Sequence, residues 1–246
     1  MANTKKAPTQ SRRDRVEELR RMQQRAERRK NAVFLTVAVV IAVGLIAAAV
    51  LPTYYKHKND LSRKALTSLG VSTAAASCDP ITNDPTGGSG TAVHVGPGTN
   101  QPNITKVKYA TVPPSSGQHF VSPVYPNHAF YTVADGHAVE EFVHNLEHGY
   151  TILWYDRSVS GNDLDVLKAI AEKARTLQQV GPTGKFMAVP WDPSYGSFPA
   201  GKKFALSHWG GNKMGHREIC GGLSGTVVEN FVKQFPFSDA PEPNSQ

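Results

Sequence analysis

The densest group of chemistry-bearing side chains is His144-Asn145-Leu146-Glu147-His148. On a helix, residues four apart share a face, so the imidazoles of His144 and His148 can converge on one cation. His137 and Glu141 extend the same stripe upstream. The five residues also read as H-x-x-E-H, the order in which two histidines hold zinc and the glutamate activates water. A zinc hydrolase of that kind needs a third protein ligand. Glu218 and Glu229 lie downstream, but nothing around either marks it. A polar helix face turned to solvent would leave the same pattern.

A second candidate lies upstream, in Val112-Pro113-Pro114-Ser115-Ser116-Gly117-Gln118-His119. Two prolines and a glycine make a stiff turn, and stiff turns aim loop side chains. His119 can therefore join His144 and His148 as a third imidazole, with Glu147 as a fourth ligand or as the group that orients one. Imidazole-rich ligation suits zinc or copper. His94, in HVGPG, is either a spacer residue or a further ligand, if a disulfide draws its segment inward. Trp191, Tyr195 and Phe198 form either a recognition patch or cover for a sheet edge. No glycine-rich phosphate loop follows a strand, and no Ser/His/Asp spacing stands out.

These residues need elements to hold them. Val139, Phe142, Val143 and Leu146 form the apolar stripe of a helix over 137–148, with Asp135 as its expected N-cap and Gly149 as its stop. TILWY (Thr151–Tyr155) reads as a buried strand, and Asn162–Val180 as an amphipathic helix. Lys185–Val189 and Lys203–Ser207 read as strands separated by PWDPSYGSFPAG. Gly225–Phe235 closes with a helix. The order predicts an α/β domain with a small mixed sheet over residues 109–236. It is similar in element order to the latter part of a thioredoxin-like fold, but no CxxC stands at the first helix, so dithiol chemistry is unsupported. Residues 52–108 read as a stem followed by a Gly/Pro/Ser-rich linker, and 237–246 as a disordered tail.

Ala32 to Leu51 is a run of 20 residues without a charge. A helix of that length spans roughly 30 Å, the thickness of a bilayer's hydrocarbon core, and the long charged segment before it argues against a cleaved signal peptide. Residues 32–51 are therefore expected to be a transmembrane signal anchor. Residues 1–31 hold 11 of the 27 basic side chains and four of the 20 acidic ones, which leaves 16 of each sign in the rest of the chain. The positive flank puts the arm in the cytoplasm and the domain outside the cell membrane. The arm can lie as a basic helix on anionic headgroups or remain a solvated tail. The main domain has no basic field, which disfavours nucleic acid as a partner. Cys78 and Cys220, the two cysteines, both fall on the outer side. An oxidising compartment lets them pair; free thiols or a thiolate ligand are the alternatives.

PPSSGQH, VHNLEHGYTILWY and a later HWG with a downstream cysteine together resemble a bacterial family of uncharacterised membrane-anchored extracytoplasmic domains. Its members carry a PPxSGxH turn, a VHxLEHG helix, a following strand and an AWG-like tripeptide. The resemblance covers roughly Cys78 to Phe235. It maps onto Pro113, Pro114, Ser116, Gly117, His119, Val143, His144, Leu146, Glu147, His148, Gly149, Trp209 and Gly210, with Cys78 and Cys220. His208 stands where the family tends to have a small residue. The stretch after His119, where many members carry Trp or Cys, reads FVSPVYPNHAF here. The resemblance groups His119, His144, Glu147 and His148 without naming a reaction. Two function classes follow: a metal-binding domain, and an interaction module for an envelope protein partner in which the histidines are structural.

Overall fold

The computed structural model describes residues 8–85, 93–125 and 128–245. The first seven residues of the basic arm, residues 86–92 of the linker, Pro126, Asn127 and Gln246 lie outside the described residues. The chain forms two units, Met1–Asn59 and Asp60–Gln246.

The described part of the first unit, residues 8–59, lies in helix α1 (Pro8–Arg63). Among the described residues it is the one helix long and apolar enough to cross a membrane. Phe34, Leu35, Ile41, Leu45 and Ile46 are all exposed. In water so large a bare apolar surface is unfavourable at about 25 cal/mol per Å². The Thr36 hydroxyl donates to the Ala32 carbonyl 2.9 Å away, so it adds no unpaired group to the apolar run.

The second unit is built on a mixed sheet of five strands. These are β1 (Thr82–Pro85), β4 (Thr151–Tyr155), β5 (Phe186–Pro190), β6 (Phe204–Gly210) and β7 (Met214–Cys220), in the order β1-β7-β6-β4-β5. β4 and β5 are parallel, as the crossover through α4 (Asn162–Ala174) requires, and the other pairings are antiparallel. Side chains alternate across a strand, and both faces are covered. Leu153, Tyr155, Phe186, Ala188 and Leu206 pack in one core with α4 and with α5 (Gly225–Gln234). Ile152, Trp154, Met187, Val189 and Trp209 pack in the other with α3 (Val139–Glu147). A strand buried on both sides has no polar positions to spare, which is why TILWY is unbroken.

Several expectations change. Asp135 does not cap α3: it receives the Thr132 amide in a short turn, and the N-cap of α3 is Ala138. The helix expected over Asn162–Val180 stops as α-helix at Ala174. β7 is a strand that the residue pattern does not announce, because His216, Arg217 and Glu218 hide its alternation. Arg217 sits there to pair with Asp84 of β1. The compact domain expected from residue 109 takes in Leu61, Leu66, Leu69 and Ala76, which join the α5 core. The segment expected as stem and Gly/Pro/Ser-rich linker contributes β1 to the sheet, the short helix α2 (Thr73–Ala76) and the strand β2 (His94–Val95). Cys78 and Cys220 are disulfide-bonded, which draws this segment onto β7. The expected tail also has partners, for Glu242 donates its amide to the Glu147 carbonyl at 3.0 Å.

Opposite each other on β6 and β7, His208 and His216 make a buried pair beside Phe235. His208 lies near the Tyr150 backbone, yet neither ring nitrogen reaches hydrogen-bond geometry. Burial, with His216 beside it, pushes its pKa from 6.5 down to about 3. Near neutral pH both folded and unfolded chains are uncharged there. As pH falls below that of a free histidine, the unfolded chain binds a proton that the folded one refuses. Stability is therefore expected to fall by up to a few kcal/mol between about pH 6.5 and 3. Urea unfolding of His208→Leu at about pH 7.5 and 4.5 should show a flatter dependence than the parent. Equal slopes would reject the assignment.

Candidate metal centre

The site is assembled where three segments meet. Strand β3 (His119–Phe120) runs parallel to β2, in a register that sets His94 beside His119. Their rings lie 4.8 Å apart, and those of His119 and His144 4.6 Å apart. α3 supplies His144, Glu147 and, at its C-cap, His148. Trp209 of β6 meets the His119 ring edge-on at 5.9 Å and closes that side.

Each segment is fastened. The Pro-Pro turn, whose Val112–Pro113 peptide is cis, lies across the β1–β7 edge, where the Ser115 hydroxyl donates to Asp84 at 3.0 Å. A side chain on Gly215 would strike Ser115, so the crossing needs a glycine there. Gly149 ends α3 at φ +89°, and a Cβ on it would run into the Phe237 carbonyl. Asn145, fully buried, bonds both backbone polar groups of Val124 and so ties the segment after His119 to α3. Glu140, also fully buried, accepts the Val107 amide at 2.7 Å and the Tyr195 hydroxyl at 2.8 Å. It anchors the segment that leads into the turn.

That anchor carries a prediction. Glu140→Ala strands a buried amide and a phenol, each worth about 1–3 kcal/mol. A loss of about 2–5 kcal/mol in urea unfolding is expected, with Glu140→Gln milder because it keeps an acceptor. A loss below about 1 kcal/mol would refute the role.

The ring orientations fix the chemistry. His119 Nδ1 lies 2.8 Å from the Gly117 carbonyl, and His144 Nδ1 lies 2.7 Å from that of Phe120. A carbonyl only accepts, so both Nδ1 atoms carry protons and both Nε2 atoms face inward. His119 Nε2, wholly buried, is 3.0 Å from Glu147 Oε2 but out of line for a hydrogen bond. His144 Nε2 is 3.1 Å from His148 Nε2. Burial lowers the His144 pKa to about 4, with His119 reinforcing it, so the ring is neutral near pH 7. Burial works to raise the Glu147 carboxyl, but His119 beside it outweighs that and holds it low. The result is a set of inward-facing Nε2 atoms around an ionised carboxylate.

Ligand atoms of His94, His119, His144 and Glu147 all lie within 4.8 Å of one another. A tetrahedral zinc site, with bonds of about 2.0–2.1 Å, needs ligand atoms about 3.3 Å apart, so a modest closure would complete it. The expected residues thus divide. His119, His144 and Glu147 share this group, and His148 falls with Glu147 and Glu242 in a second one. His94 is the member that sequence reading left open, and its parallel pairing with His119 could not be seen in a Gly/Pro-rich stretch. His137 forms a surface pair with Glu141 at 3.3 Å, away from the group. Glu218 lies beside the disulfide sulfurs, and Glu229 pairs with Lys233. Neither joins the histidines as the third ligand an H-x-x-E-H hydrolase requires.

The family model described as "Protein of unknown function (DUF3105)" matches residues 101–246. The chain belongs to the DUF3105 family. No curated protein and no solved structure matches it. The DUF3105 match includes His119, His144, Glu147, His148 and Glu242, whereas His94 and Cys78 precede it. In this DUF3105 protein the family segment thus contains most of the histidine cluster, and the preceding chain adds its exposed member.

Proposed function

We propose that this DUF3105 protein is a membrane-anchored extracytoplasmic metal-binding protein, holding a zinc- or copper-class ion through His94, His119, His144 and Glu147. One observation carries the reading. His119 is fully buried, spends Nδ1 on a backbone carbonyl, and turns an unpaired Nε2 toward a carboxylate and two further imidazoles. An unpartnered buried nitrogen is costly in a purely structural cluster, and a cation supplies the missing partner. Carbonyls on the Nδ1 atoms are what metal-bound histidines ordinarily need to hold ring and tautomer. The ion would supply charge neutralisation and Lewis acidity. His94 is exposed, which leaves a side open to water or an incoming ligand.

Export of the domain is supported by the bare apolar helix, its basic flank and the disulfide. Protease added to intact spheroplasts is expected to remove the domain and spare a tag at residue 1; the opposite pattern would reverse the orientation.

The metal test is elemental analysis of the detergent-solubilised full chain after exposure to zinc or copper and then dialysis. Stoichiometric metal in the parent, lost in His119→Ala and in His144→Ala, is expected. A parent that retains none would return the cluster to the interaction-module reading, in which a histidine network merely braces α3.

A further inference from the structure

We infer that the C-terminal segment completes a second metal position beside the first, formed by His148 and Glu242 with Glu147 as the carboxylate shared between the two. The inference rests on the first centre proposed above. Ligand atoms of Glu147, His148 and Glu242 lie within 4.8 Å of one another, and Glu147 belongs to both groups. His148 Nε2 is 3.6 Å from Glu242 Oε2 and 3.1 Å from His144 Nε2, so the two groups are in contact. A carboxylate has two oxygens and can bind one ion through each. Two-metal sites that share ligands hold their ions about 3.5–4 Å apart.

The way Glu242 is held is the second observation. Lys185 is almost wholly buried, and its ammonium donates to three backbone carbonyls: His148 at 2.6 Å, Pro243 at 2.9 Å and Ser245 at 2.6 Å. The Glu242 amide bonds to the Glu147 carbonyl at 3.0 Å, and the Ser245 hydroxyl donates to the Glu242 carboxylate at 3.0 Å. A buried lysine ammonium is thus spent on docking this segment, although burial works against its charge. None of residues 241–245 is buried, so hydrogen bonds rather than core packing hold them. What the docking achieves is to hold one carboxylate over the C-cap histidine of α3. An ion between them would draw its donors from an imidazole and two carboxylates, a harder set than the first group's and one that favours zinc, manganese or iron over copper(I).

The test is metal stoichiometry on the detergent-solubilised full chain loaded with zinc and, separately, with cobalt(II), whose absorption reports ligation. Parent protein is expected to hold two equivalents. Glu242→Gln and His148→Ala should hold one, with the cobalt spectrum of the first centre kept, and Lys185→Met should weaken the second equivalent at least tenfold. Because Glu147 is shared, Glu147→Gln should impair both. One equivalent in the parent, unchanged in Glu242→Gln, would overturn the second position while leaving the first intact. So would one equivalent that His148→Ala removes, since His148 would then belong to the first centre. No equivalent at all would overturn the first centre, and this inference with it.

Discussion

Removing the disulfide by the double change Cys78→Ser and Cys220→Ser is expected to be strongly destabilising. The bond closes a loop with a sequence separation of 142 residues. In the chain-entropy treatment such a loop is worth about 5 kcal/mol, an upper value. At about 2–4 °C per kcal/mol for a chain of this size, the thermal midpoint should drop by roughly 10–20 °C. The effect should reach the proposed metal centre. Cys78 lies just before β1, and the chain from there to His119 is fastened through the β1–β7 pairing and the Ser115–Asp84 bond. Freeing it would loosen His94 and the turn that aims His119. Circular dichroism melts of parent and double variant, with and without reductant, read both effects. A shift under about 3 °C would mean that the sheet and turn hold the segment without the bond.

The second large effect is metal-dependent stability. An ion that binds the folded chain only, at a hundredfold excess over its dissociation constant, stabilises by about 2.7 kcal/mol. That corresponds to a rise of roughly 5–10 °C in the midpoint of the parent. His144→Ala should abolish the rise, because it removes an inward lone pair. Its own midpoint without metal should change less, for the ring gives up two hydrogen bonds, to the Phe120 carbonyl and to His148, each worth about 1 kcal/mol. Melts with chelator, zinc and copper separate the two contributions. A parent midpoint indifferent to every ion would remove the metal centre, and a His144→Ala protein that still responds would move the ion elsewhere.

Local sequence determined much of this protein. The uncharged run from Ala32 to Leu51 needs no tertiary information, because a helix long and apolar enough to cross a membrane is read from length and composition alone. The stripes of α3 and α5 and the doubly buried TILWY were legible for a similar reason: burial of a regular element imposes its own period. The i, i+4 relation of His144 and His148 is helix geometry alone. What only the tertiary structure decided is which distant residues complete the cluster. His94 enters through a two-residue parallel pairing with β3, and Glu242 through a buried lysine that grips backbone carbonyls. Neither leaves a pattern in residue types. β1 and β7 were missed for the same cause, since their polar residues answer each other across strands, Asp84 to Arg217 and Asn83 to His216, rather than alternating along one. Side chains that repeat with their own element can be read from the chain. Those whose partners lie a hundred residues away become legible only once the fold has brought both ends together.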